Sequence, residues 1–153
     1  MSLAGLQSGM AGALCYLAWM GAASKYEQSS FWTSENLMAS VFYGGDAIRG
    51  RFTSSTLSGL ALYLLLYSLL GAGFAAAFQD RMPRPRLALC GILFGLGWYW
   101  ISFGMLWKYA APLIPLLHAE RPTVWGHMLY GAVLARYPRY LPRARAPEPP
   151  PAE

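Results

Sequence analysis

The sequence predicts an all-α integral membrane protein, a bundle of four transmembrane helices with a short interfacial helix in the first outer loop. Three observations predict it. Hydrophobic residues make up 56% of the chain and charged residues only 12%, about half the charged fraction of soluble domains. The apolar residues gather into four long runs. In each run, small residues recur at four-residue spacing, the pattern that lets helix backbones approach closely in lipid.

The first run, Met1 to Ala23, has no charged side chain before Lys25. Gly21-Ala22-Ala23 has the small residues of a leader cleavage site. No basic stretch precedes the apolar core, so the run reads as a retained span. The second, Ser55 to Phe78, and the third, Leu87 to Trp107, are uncharged throughout. Each has the roughly 20 residues that a helix needs to cross about 30 Å of hydrocarbon. The fourth, Pro122 to Ala135, would span only about 21 Å at 1.5 Å per residue. It must thin the bilayer or borrow length from its flanks, where Tyr137 and Tyr140 supply an interfacial end. The expected spans are therefore about 2–23, 55–78, 87–107 and 122–136, within a bundle covering 1–141. The stretch "APLIPLLHAE" before the last span contains two prolines that oppose a regular helix, and whether 110–121 enters the membrane stays open.

Lysine and arginine placement sets the orientation. Arg81, Arg84, Arg86, Arg136, Arg139, Arg143 and Arg145 fall on one side. Lys25, Arg49, Arg51, Lys108 and Arg121 fall on the other, partly offset by Glu27, Glu35, Asp46 and Glu120. The denser group marks the cytoplasmic side, which puts both termini in the cytoplasm. The proline-rich tail, 142–153, is expected to be extended there. The net charge of +5 comes from these clusters beside apolar runs, so nucleic acid is not an expected partner.

All six tryptophans fall toward the outer side. Trp19 ends the first span, Trp32 is in the outer loop, Trp98, Trp100 and Trp107 occupy the outer half of the third span, and Trp125 begins the fourth. Anchoring at the membrane interface is the plain reading, and contact with another protein or a lipid is the sharper one. In the outer loop, "ENLMASVFYGG" predicts a helix capped by Asn36 and stopped at Gly44-Gly45. Leu37, Val41 and Phe42 would then share a face lying in the interface.

The small-residue faces are Gly5, Gly9 and Ala13; Gly71 and Ala75; Gly91 and Gly95; and Gly131 and Ala135. They predict a tightly packed bundle, or one packed into something larger. His127 lies four residues before Gly131 and eight before Ala135, on the same helix face. It should therefore point into protein, hydrogen-bonded by Tyr99, Ser102 or Tyr63 as a polar peg between helices. Ligation of a cofactor, or a proton or quinone role, is the alternative, with Trp98 and Tyr99 as neighbours of the ligand. The only other histidine, His118, is nine residues away across a proline. One helix face cannot present both, which excludes a self-contained bis-histidine haem site.

No enzyme signature is present: there is no HExxH, no pair of intramembrane carboxylates and no phosphate-binding glycine loop. Cys15 and Cys90 lack metal-ligand spacing and read as small embedded side chains. Asp46 with Arg49 and Arg51, and Glu120 with Arg121, read as local ion pairs. The first three spans lack charge, which argues against an ion-coupled carrier. Two functions remain. One is a non-catalytic accessory subunit of a respiratory, photosynthetic or transport complex, held by other membrane subunits and lipids. The other is a stand-alone binder or channel for a lipid or quinone. A pigment- or haem-binding subunit using His127 is a further alternative.

The segments "TLSGLALYLL", "ILFGLGWYW" and "WGHMLYGAVL" resemble the patterns of small, uncharacterised bacterial four-span inner-membrane proteins. The resemblance implies a place in the bacterial inner membrane. It implies no activity and assigns no residue a role.

Overall fold

The computed structural model of the protein describes residues 2–48, 50–78 and 82–141. The expected tail at 142–153, the arginines at 81, 143 and 145, and Arg49 of the expected Asp46 pairing lie outside the described residues. Among the described residues all regular structure is helical, without a strand. Helix α1 covers Ser2–Tyr26, α2 Thr33–Tyr43 and α3 Ser54–Ala77, with a 3-10 turn at Gly44–Ala47 after α2. Helix α4, Arg84–Ile101, runs through a π-helical turn, Ser102–Leu106, into α5, Trp107–Ala110. The short α6, Leu113–Leu117, then leads to α7, Glu120–Leu134, and a last 3-10 turn at Tyr137–Tyr140.

Local sequence explains the boundaries. Thr56 Oγ1 accepts a 2.9 Å bond from the Thr53 backbone N–H and so helps to cap α3. Pro83 precedes α4 and Pro85 sits in its first turn, where a missing N–H costs nothing. Pro112 begins the break between α5 and α6. The prolines of 110–121 thus leave a short helix rather than no helix.

Two helices are long and apolar enough to cross a membrane, Ser54–Ala77 and Arg84–Ala110. Helix α1 has the length, at 25 residues, but its glycine, serine, glutamine and tyrosine dilute its hydropathy. Helix α7, at 15 residues, lacks the length.

Helix α1 lies between α3 and α7, α7 lies between α1 and α4, and α2 folds against α3. Small residues sit where backbones meet. Gly5 and Gly9 of α1 press on Gly71, with Gly5 also against Ala75. Gly91 of α4 meets Gly131 of α7 and lies near the Ala135 methyl, and Gly95 meets the His127 carbonyl. Ala13 is fully buried. The core also holds several tyrosines beside Phe74 and Leu134: Tyr16, Tyr130 and Tyr137 are among the largest fully buried side chains. Several leucines face outward, with Leu65 59% exposed and Leu93 58%, while Leu17, Leu87 and Leu134 are buried. The outer surface of the helices is thus largely apolar, while the interior holds hydroxyls as well as apolar side chains.

Helix α2 departs from the sequence-based expectation. Asn36 does not cap it. The helix starts at Thr33, and every residue from Ser34 to Ser40 is buried. Asn36 instead accepts a 2.5 Å bond from Thr56 and donates a 3.0 Å bond to the Arg51 carbonyl. Its amide stitches the outer loop to α3, where burial makes such bonds costly to lose. Leu37 is buried but Phe42 is 58% exposed, so Leu37, Val41 and Phe42 do not act as one face.

Candidate binding site

Polar residues from four helices converge near one end of the bundle interior. Helix α1 contributes Tyr16, α3 contributes Tyr63 and Tyr67 one turn apart, and α4 contributes Tyr99. Helix α7 contributes Thr123, His127 and Tyr130. All of these are buried.

The two imidazoles are fixed by carbonyl oxygens of their own segments. His127 Nδ1 lies 2.8 Å from the Thr123 carbonyl, which can only accept, so Nδ1 carries the hydrogen. Nε2 is then an acceptor, and the Tyr67 hydroxyl donates to it over 2.9 Å. Tyr130 donates to the Tyr67 backbone carbonyl over 2.7 Å. His118 repeats the first half of this pattern. Its Nδ1 donates to the Pro115 carbonyl over 2.8 Å, satisfying an orphan carbonyl at the end of α6. Its Nε2 is likewise an acceptor, but it is buried without a partner.

The π turn places Phe103 between the two histidines. The Phe103 ring lies 4.3 Å from that of His118 and 6.1 Å from that of His127. A π turn inside an α-helix often marks a functional position. Here it brings an aromatic wall to a cavity of about 180 Å³, lined in part by Tyr16, Ser34, Tyr63, Phe103, His118 and Thr123. Ser34 and Tyr63 hydrogen-bond each other over 2.9 Å. Glu27 and Ser29, which are exposed, form its mouth. The cavity therefore offers hydroxyl groups on one wall, an imidazole acceptor on another and an aromatic face between them.

Beside this cavity α2 carries Glu35, 2% exposed, whose Oε2 has no partner. Burial pushes its carboxyl up from 4.5 to about 6. The carbonyl of Glu35 touches Gly59 of α3 so closely that a Cβ there would overlap it.

The sequence-chosen residues fall as follows. His127 is fully buried at the centre. Tyr99 contacts its ring edge-on at 5.4 Å and makes no hydrogen bond to it. Tyr63 bonds to Ser34 instead, and Ser102 turns back to the Tyr99 carbonyl at 3.2 Å. The partner of His127 is Tyr67, which sequence reasoning missed. Trp98 is half-buried against the core and Trp100 is 73% exposed. Trp107 is buried, unlike an interfacial anchor, and Trp19 donates to the Pro122 carbonyl over 2.8 Å. Also missed were Tyr16, Tyr130, Glu35 and the open nitrogen of His118. The available signal was the four-residue spacing of Tyr63 and Tyr67 within a leucine run. Among the described residues no group of three histidine, cysteine or acidic side chains could hold a metal ion.

Compared with known protein families, with curated proteins and with solved structures, the chain matches none.

Proposed function

We infer that the protein is a four-span integral membrane protein of the bacterial inner membrane, with both termini cytoplasmic, that binds a small amphipathic molecule without transforming it. The ligand class is a quinol-like or lipid-like molecule with a hydroxyl on a compact head group. The observation that carries this reading is the unpartnered acceptor of His118 on a cavity otherwise lined by hydroxyls and aromatic rings. A ligand hydroxyl would donate to Nε2, and Tyr16 or Tyr63 would donate to a ligand oxygen. About 150 Å³ is enough to hold a benzene ring, so the cavity suits a single-ring head group with its tail leaving through the mouth. The outward leucines and inward tyrosines support membrane insertion, since lipid accepts the first and a desolvated interior requires hydrogen bonds for the second.

Titration of the detergent-purified protein with a short-chain quinol, followed by intrinsic fluorescence, tests the binding reading. Saturable binding is expected, weakened about tenfold by His118→Ala, as loss of one hydrogen bond implies. Equal binding by the variant, or none by the wild type, overturns it.

Membership of a larger membrane complex is a second reading. The small-residue faces that favour it in the sequence are occupied within the chain, by Gly71 and Gly131 among others. What supports it is an exposed groove on α1 and α7 lined by Trp19, Trp125 and Met128. A defined large particle after gentle extraction would support this reading, and a lone monomer would count against it. A pigment or haem on His127 would have to displace Tyr67 from Nε2. An absorption band that disappears in His127→Leu is the corresponding test.

A further inference from the structure

At the opposite end of the bundle, a groove of about 660 Å³ lies between the start of α4 and the end of α7. Arg84, Arg136 and Arg139 line it, and all three are exposed. Its remaining walls are apolar, with Leu87, Ala132 and Pro138 among them. Two of the arginines follow the C-terminal end of α7, where positive charge complements the helix dipole. That role accounts for their charge but not for the apolar groove beneath them.

No acidic side chain among the described residues pairs with these arginines. Among the described residues the acidic side chains are Glu27, Glu35, Asp46 and Glu120. Glu120 opens α7, whereas Arg136 and Arg139 follow its last turn. Glu27 follows α1 at the end where Trp19 meets Pro122. No described acid therefore neutralises the groove. Guanidinium groups match the paired oxygens of a phosphate, and an apolar channel below them matches a chain of methylenes.

We propose that this groove binds an anionic phospholipid, with the headgroup phosphate on Arg84, Arg136 and Arg139 and an acyl chain along Leu87 and Ala132. Charge complementarity selects this occupant. In the orientation inferred above, on which this choice of occupant rests, the arginine-rich end faces the leaflet that carries anionic lipid, and basic pockets between helices on that side bind such head groups. The groove lies at the other end of α7 from the His118 cavity, so ligand binding there can fail without touching this proposal.

Native mass spectrometry of the detergent-purified full chain, titrated with phosphatidylglycerol or phosphatidylcholine, provides the test. Phosphatidylglycerol is expected to bind at least about tenfold more tightly. The variant Arg84→Gln/Arg136→Gln/Arg139→Gln should abolish that preference, bringing phosphatidylglycerol adducts down to the level of phosphatidylcholine. Working in detergent avoids any change of membrane orientation caused by loss of the arginines. If the triple variant does not fold, as read by circular dichroism, Arg136→Gln alone should still reduce the preference several-fold. Equal binding of the two lipids by the wild type, or a preference that survives the arginine changes, overturns the proposal. So does displacement of the lipid by millimolar inorganic phosphate alone, which would identify a site for the free anion.

Discussion

The Tyr67 hydroxyl donates to His127 Nε2 over 2.9 Å, across the bundle from α3 to α7. His127 has no other route to satisfaction at that nitrogen, because its Nδ1 is held by the Thr123 carbonyl. Tyr67→Phe should leave a buried acceptor empty and cost about 1–3 kcal/mol, seen as a lower melting temperature in detergent. In combination with His127→Leu, the two losses should sum to less than their separate values. Full additivity would show that the bond contributes nothing.

Glu35 predicts a pH dependence of stability. Its folded carboxyl titrates at about 6 rather than 4.5, so folding favours the protonated form. The stabilisation is therefore complete below pH 4.5 and is lost as pH rises through about 6. The size of the effect is about 2 kcal/mol. Thermal unfolding between pH 4 and 7.5 should show the loss, and Glu35→Gln should flatten it while raising stability at pH 7.5. A wild-type profile that rises over this window contradicts the assignment.

The contact between Gly59 and the Glu35 carbonyl predicts an asymmetry among glycines. A methyl group at Gly59 meets backbone atoms of α2, including the Ala39 nitrogen at 2.9 Å. Gly97, inside α4, has nothing within 4 Å of the same position. Gly59→Ala should destabilise by about 1–3 kcal/mol through overpacking. Gly97→Ala should be neutral or gain up to about 1 kcal/mol from helix propensity. Equal effects at the two sites would refute the close approach of α2 to α3.

Topology can be read with single cysteines introduced at Ser29 and Pro83 in a Cys15→Ala/Cys90→Ala background. An impermeant maleimide should label position 29 in intact cells and position 83 only after permeabilisation. External labelling of position 83 reverses the orientation, and labelling of both on one side removes a span.

The helical class and the approximate extents of the four longest helices were legible because apolar runs and proline boundaries are local signals. The spacing of Gly91 and Gly95 was legible for the same reason, as were the burial of His127 and its place on the face of Gly131. Tyr67 was not. Nothing in a single sequence says which of Tyr63, Tyr67 and Tyr99 meets an imidazole 60 positions away, since that depends on the rotation of α3 about its axis. Asn36 was misread for a related reason: a residue suited to capping its own helix was recruited by Thr56 of another. The cavity needed the π turn, which leaves no mark in "WYWISFGMLWKY".

That π turn also sets the rotational phase of everything beyond it. Tyr99 and Trp107 are eight positions apart, which on a regular helix would separate them by about 80° around the axis. One additional residue absorbed in the wide turn reduces this to about 20°, and both side chains are buried. The helix thus behaves as one that has accepted an insertion and kept its inner face aligned on either side. Deleting Gly104, where an added methyl group would meet nothing within 4 Å, would close the bulge into an ordinary helix with Tyr99 and Trp107 seven positions apart. Those seven positions again leave about 20° between the two side chains, so the residues beyond keep their phase. Trp107 would stay in the core and His118 against Phe103, whereas straightening the turn at full length would swing both by about 100°.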